Sequence, residues 1–237
     1  MIESININKT FGKLRVLKDI SIKFENNSAV ALLGPNASGK TTFIKSVLGM
    51  VLPESGTIKV NNTNIKNDDS YRSQIGYMPQ IGRYPENMTI GQVFEMIIDM
   101  RKEQMNHTDT DLLDALNMKS VFHKRMGTLS GGTRQKVSAC LAFLFRPKII
   151  ILDEPTAGLD PISSEILKEK VKTEKNNGKL IIITSHILSE LDELVSEIVY
   201  FREGELMFHK NLEELQLQTG EKSISKVITT ILKKNHE

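Results

Sequence analysis

The chain has 237 residues, with 31 Lys and Arg against 29 Asp and Glu for a formal net charge of +2. That length suits one large domain with at most a small appendage. A composition of 39% hydrophobic and 25% charged residues can bury a core without disulfide or metal staples. The lone cysteine, Cys140, excludes an intramolecular disulfide and points to a reducing compartment, while the near-balanced charge argues against a general nucleic-acid surface. The N-terminus lacks the apolar core of a signal peptide, and no apolar run approaches the roughly 18–20 residues of a membrane span.

In chain order, Ile5 and Ile7, then Ile20, Ile22 and Phe24, are spaced by two and predict half-buried strands. Ala29 to Leu33 is a short continuous apolar run, the pattern of a strand buried on both faces of a parallel sheet. It runs into Gly34-Pro35-Asn36-Ala37-Ser38-Gly39-Lys40-Thr41, which fits G-x-x-x-x-G-K-[ST], and a helix is predicted over Lys40 to Met50. Glycines let the backbone wrap so that successive N–H groups face phosphate oxygens, and the helix adds its positive end. The plain alternative is a glycine turn before an ordinary helix; the buried strand before the pattern and the helix after it weigh against that.

Ile75 to Met78 predicts another strand. From about Tyr84 to Arg146 the pattern is helical, with helices expected over Ile90 to Gln104 and Ser130 to Phe145. This reads as a helical subdomain, residues 84–146, inserted into an α/β core of residues 1–83 and 147–204, all within one domain that ends in a tail at 205–237. Leu129-Ser130-Gly131-Gly132-Thr133 opens the second helix. Ser130 is a good cap, but two glycines cost helix stability of about 1 kcal/mol each, so close approach by an anion is expected there.

Ile149 to Leu152 predicts a buried strand running into Asp153 and Glu154. Alternation along a strand would send these two acids to opposite sides, Asp153 to a metal ion and Glu154 to an attacking water, an acidic strand cap before a Pro155 turn being the alternative. Asp160-Pro161 predicts a helix start and Gly178 its stop after Asn176. A strand at Leu180 to Ile183 precedes His186. Beyond it come a strand candidate at Glu205 to His209, two weak helices and a charged end, Lys233 to Glu237.

Together, Gly34 to Thr41, Leu129-Ser130-Gly131-Gly132, Ile149 to Glu154, Ala157-Gly158-Leu159-Asp160 and His186 resemble the ordered motif set of ABC-type ATPases, over about Met1 to Lys210. The LSGG element is the specific one, because phosphate loops and strand-end acids occur in many nucleotidases. The resemblance implies an α/β P-loop NTPase (RecA-like) fold: a parallel-sheet core, an antiparallel β part and the helical insert. It implies ATP hydrolysis with Mg²⁺ in domains that pair head to tail, either with a second copy or with a paralogous ATPase. It also implies an integral-membrane permease as partner, no nucleic acid, and a cytoplasmic position peripheral to the inner face of the cell membrane.

Position by position, the resemblance places Phe11 on the adenine with Val16 beside it, strand-end packing being the alternative for both. Gly34, Asn36, Ala37, Ser38, Gly39, Lys40, Thr41 and Thr42 would hold phosphates, and Thr41, Gln80 and Asp153 would serve the metal. Glu154, His186, Lys40 and Gln80 would carry catalysis. Ser130, Gly131 and Gly132 would touch the γ-phosphate in trans, and Asp160 would link the two sites. Thr133 replaces the usual glutamine, Ala37-Ser38 a common Gly-Ala or Gly-Ser pair, and Phe11 lacks a tyrosine hydroxyl. The stretches at Gly158 to Pro161 and Ser185 to Glu190 look most like exporter-class subunits, with the copper/nitrous-oxide-reductase maturation ATPase as a sub-reading and a soluble iron–sulfur assembly ATPase as the alternative. Ile81, Tyr84, Pro85, Met88 and Ile90, between Gln80 and Met96, are expected to receive a permease helix or to pack in the ordinary way.

Overall fold

Strands β1 (Ile2–Phe11) and β2 (Leu14–Phe24) pair antiparallel, with Ile2, Ile7, Leu17, Ile20, Ile22 and Phe24 buried. The expected shared face of Ile5 and Ile7 is corrected: Ile5 is exposed, and a register shift between Ser4 and Ile7, with Asn6 at φ 51, breaks the alternation. The computed structural model describes residues 1–66, 68–101 and 108–234. It divides into two units, one made of Met1–Arg72 with the chain from Lys175 onward, the other of Ser73–Glu174.

In the first unit, β4 (Ser55–Val60) and β5 (Thr63–Asn64) extend the pair into a four-stranded antiparallel sheet in the order β2-β1-β4-β5. A second layer runs β10-β9-β3-β8. There β3 (Ala29–Leu33) lies parallel to β8 (Leu180–Thr184) and β9 (Glu197–Arg202), and β10 (Glu205–Asn211) is antiparallel to β9. Every residue of β3 and β8 is buried, as their unbroken β-branched and aliphatic runs require. Helix α1 (Lys40–Val47) is wedged in place by Phe43, whose ring lies 6.1 Å from Phe24 of β2 and 5.5 Å from Phe201 of β9. Burying such a side chain contributes about 1.5–3 kcal/mol, so the helix that follows the phosphate loop is anchored from two sheets.

In the second unit, β6 (Ile75–Met78) lies parallel to β7 (Ile149–Asp153), with Ile75 opposite Ile149. Its helices are α2 (Ile90–Met100), α3 (Asp111–Ala115), α4 (Gly131–Phe143) and α5 (Pro161–Asn176). A capping box starts α2: the Gln92 N–H donates to Thr89 Oγ1, and the Thr89 N–H donates to Gln92 Oε1. Gly76 lets α4 close on β6, since a Cβ there would stand 1.9 Å from the Ala142 carbonyl oxygen. Buried Lys170 on α5 binds Asp109 at 2.6 Å and Glu174 at 3.0 Å.

The first unit ends in α6 (Leu212–Thr219) and α7 (Ile224–Lys234), at the two weak helical patterns. Helix α5 has the expected bounds, whereas α1 stops short of Met50 because Gly49 turns left-handed at φ 68. Strands β4 and β9 had no expectation attached. The part of the α2 expectation at 102–104 and the tail end at 235–237 lie outside the described residues. Among the described residues, no helix is long and apolar enough to cross a membrane.

Candidate nucleotide and signature sites

The phosphate loop joins β3 to α1 in the first unit. It is shaped by positions that admit no side chain. A Cβ on Gly34 (φ 145) would stand 2.1 Å from the Phe201 carbonyl oxygen, and one on Gly39 (φ 104) would stand 2.8 Å from that of Val16. From outside, the Gly204 N–H donates to the Ser38 carbonyl, and the Gly204 carbonyl accepts from Lys18 N–H. Lys40 Nζ lies over the loop, donating to the carbonyls of Gly34 at 2.7 Å and Pro35 at 2.9 Å. Ser38 is buried, Asn36 and Thr41 are exposed, and Thr42 is half-buried. Ala37 holds φ 61, a left-handed conformation in which glycine has no steric cost and alanine does.

Phe11, at the end of β1, is 51% exposed with Lys9 Nζ 5.1 Å from its ring centroid. Core packing is therefore not its role, whereas Val16 is half-buried and its carbonyl braces the loop. His186 follows β8 and is exposed between buried Ser185 and exposed Ile187.

In the second unit, Gln80 is exposed in the bend after β6. Of the apolar set that follows, Ile81 and Pro85 are exposed, and Tyr84 and Met88 half-buried. Ile90 is fully buried as the first residue of α2, so it is core and unavailable to any partner. Tyr84 Oη is 2.9 Å from Ser138 Oγ on α4, tying this loop to the signature helix.

Ser130 caps α4, accepting from the Thr133 N–H at 3.2 Å. The two glycines behind it differ. A Cβ on Gly131 would meet nothing within 4 Å, leaving open backbone, whereas one on Gly132 would stand 2.6 Å from the Gly158 carbonyl oxygen. Gly132 is thus required by packing inside the unit as well as being expected to serve an incoming anion through its backbone.

Asp153 ends β7 and is buried. Burial, and then the Asp153 carboxylate, push the Tyr77 hydroxyl up to about 12, so it stays protonated. Glu154 lies past the strand at φ 52, in the left-handed region, so strand alternation does not set its direction and the opposite-sides argument fails. Its carbonyl accepts from the Ala157 N–H and from the buried Gln135 amide, both at 3.2 Å. Asp160 caps α5, accepting from the Ser163 N–H at 2.9 Å and the Ser163 hydroxyl at 2.7 Å, and it binds Lys136 of α4 at 2.8 Å. The Lys136 ammonium, then the Ser163 donors, hold its carboxyl well below the usual range.

Sequence reasoning passed over Gln135, Lys136, Ser138 and Gly204. Only Gly204 had a local signal: Glu203-Gly204, with φ 52 and 83, is a hairpin turn between two strands.

Residues 17–157 match the family model described as ABC transporter. The chain belongs to the ABC transporter family, as an ATP-binding subunit. Among relatives, the ABC-type transporter ATP-binding protein EcsA of Bacillus subtilis is 32% identical over 87% of this chain and 85% of its own length. The ATP-binding protein NatA of the same organism is 30% identical over 85% and 84%. The Nod factor export ATP-binding protein I of Burkholderia lata is 29% identical over 84% and 67%. A solved ATP-binding subunit of an ABC transporter superposes with a TM-score of 0.87 at 25% identity, covering 97% of this chain and 98% of its own. A dimeric post-hydrolysis cassette bound to ADP and Pi gives 0.77 at 22% identity, covering 90% and 99%.

As an ABC ATPase the chain hydrolyses ATP through a P-loop fold with mixed parallel and antiparallel sheet. Its residues fit the nucleotide: the glycine-shaped loop, the Lys40 ammonium and the α1 N-terminus are the parts that phosphates need. They fit Mg²⁺ as well. The assigned donors are hard oxygens, and among the described residues no group of three or more His, Cys, Asp or Glu could hold a metal alone. An ion that keeps several waters and binds together with substrate phosphates asks for no such cage.

Proposed function

We propose that this ABC ATPase drives a substrate through a separate integral-membrane permease by closing and reopening a head-to-tail pair of ATPase domains. The second domain is another copy of the chain or a paralogous ATPase. The observation that carries the reading is the start of α4, where Ser130 fixes the helix end and Gly131 leaves open backbone on a positive helix terminus. A chain with its own phosphate loop has use for a second anion-facing edge against a partner's nucleotide. The solved cassette that is dimeric with ADP and Pi supports such pairing, and the relative named for Nod factor export supports export as the direction.

In this reading Phe11 and Val16 take the adenine, Lys40 and the loop from Gly34 to Thr42 take the phosphates, and Ser130, Gly131 and Gly132 reach the γ-phosphate across the pair. Thr41, Gln80 and Asp153 would hold Mg²⁺ through oxygen atoms, and the ion would supply neutralisation of phosphate charge. Glu154 accepts a proton from the attacking water, His186 and Gln80 orient the reacting groups, and Asp160 links the two sites. Most of the acceleration is positioning and electrostatics on the γ-phosphoryl group. In this reading the permease meets the side chains near Ile81 and Pro85, whose exposure supports it, and the subunit works at the inner face of the cell membrane.

The test uses the Glu154→Gln chain on gel filtration with ATP and Mg²⁺. It should elute at twice the monomer mass, and adding Ser130→Arg should return it to monomer while each chain still binds ATP. Monomer throughout overturns pairing with a second copy and leaves a paralogous ATPase as the partner, which co-purification with the tagged chain should then recover. Purification of the tagged chain from detergent-solubilised membranes should recover a polytopic protein; recovery with soluble partners alone would favour an assembly ATPase instead.

A further inference from the structure

Gln135 is 5% exposed on α4, just inside the signature end. A buried amide costs free energy unless its N–H and C=O groups are paired, and this one spends its nitrogen on two backbone carbonyls. Its Nε2 lies 3.2 Å from the oxygen of Glu154 and 3.5 Å from that of Pro155. The peptide plane that follows Glu154 is therefore held from the signature helix.

That grip matters because of the conformation it holds. Glu154 sits at φ 52, a region in which the Cβ of a non-glycine residue crowds its own backbone. The Ala157 N–H closes the turn onto the same carbonyl but belongs to the turn itself. Gln135 contacts the same carbonyl from a separate element, α4. Lys136, the next residue, binds Asp160 at the other end of the same loop, so consecutive side chains of α4 hold both ends of residues 154–160.

We propose that Gln135 is a positioning residue for Glu154: its amide, carried on the signature helix, fixes the carbonyl that keeps Glu154 left-handed and so aims its carboxylate. The proposal rests on the reading of Glu154 as the general base. Movement of the signature end of α4 is passed to Glu154 through the side chain of Gln135, so the helix that senses a partner's nucleotide also sets the aim of its own chain's base.

The test measures steady-state ATP hydrolysis and ATP binding of the full chain for Gln135→Met, Gln135→Glu and Glu154→Gln. Methionine keeps the length and removes the donor; glutamate turns an acceptor toward the Glu154 carbonyl. Turnover should fall about tenfold or more for Gln135→Met and further for Gln135→Glu, with KM and ATP affinity within about twofold of the parent. Parental kcat in Gln135→Met would overturn the proposal. So would a fall in ATP affinity that matches the fall in kcat, or a Gln135→Met chain that fails to fold, since either marks a purely structural amide. Full turnover by Glu154→Gln would instead overturn the general-base reading.

Discussion

The two units hold functional groups by opposite means. Around the phosphate loop the fixed parts are backbone: Gly34, Gly39 and Gly204 sit where a Cβ would collide with a neighbouring carbonyl, and the loop's own carbonyls bind Gly204 and Lys40. Around the signature helix the fixed parts are side chains, with Gln135 and Lys136 reaching from α4 to the two ends of the 154–160 loop and Ser138 to Tyr84. Backbone cradles are rigid and suit an unchanging ligand such as a phosphate group. Side chains fanned from one helix let a single shift reach several loops. The first arrangement should therefore govern affinity and the second turnover.

The widest test of that division is a pair of variants. Lys40→Ala should lower ATP affinity about 100-fold or more by calorimetry, because it removes charge-assisted hydrogen bonds worth about 1.5–3 kcal/mol each. Glu154→Gln should keep affinity while turnover falls by about 10²–10⁴. If both variants lose affinity alike, the units do not divide the labour.

A smaller effect separates the two signature glycines. Gly132→Ala should destabilise the chain by about 1–3 kcal/mol, because its methyl meets the Gly158 carbonyl. Gly131→Ala, with open space around it, should melt no lower and up to about 1 kcal/mol higher in stability. Equal melting curves would show that the clash relaxes freely.

The smallest concerns Ala37. Replacement by glycine should raise stability by at most about 1 kcal/mol, relief of the left-handed strain being partly offset by the greater freedom of glycine in the unfolded chain. Lower stability would mean that the loop relies on the alanine methyl.

The readable parts of this sequence were those whose cause is local. The apolar runs of β3, β7 and β8, the Pro161–Asn176 helix between its Asp cap and Gly178, and the phosphate-loop spacing each declare themselves within a few residues. Strand β4 has only Ile58 and Val60 buried, too thin a pattern to read without its partner β1. The direction of Glu154 depends on a turn beyond the strand end, and the need for Gly132 on a carbonyl 26 positions later in the chain. Gln135 carried no signal because its meaning lies in what it touches.

The Lys136–Asp160 bond has a consequence for the conditions under which the chain works. Asp160 stays ionised far into acid, since its ammonium partner and the Ser163 donors hold its carboxyl low. Acidity in any ordinary range leaves this link intact. Both groups nevertheless face solvent in part, and dissolved ions weaken attraction between such charges. The link between α4 and the start of α5 is thereby insulated from proton concentration and left responsive to ionic strength.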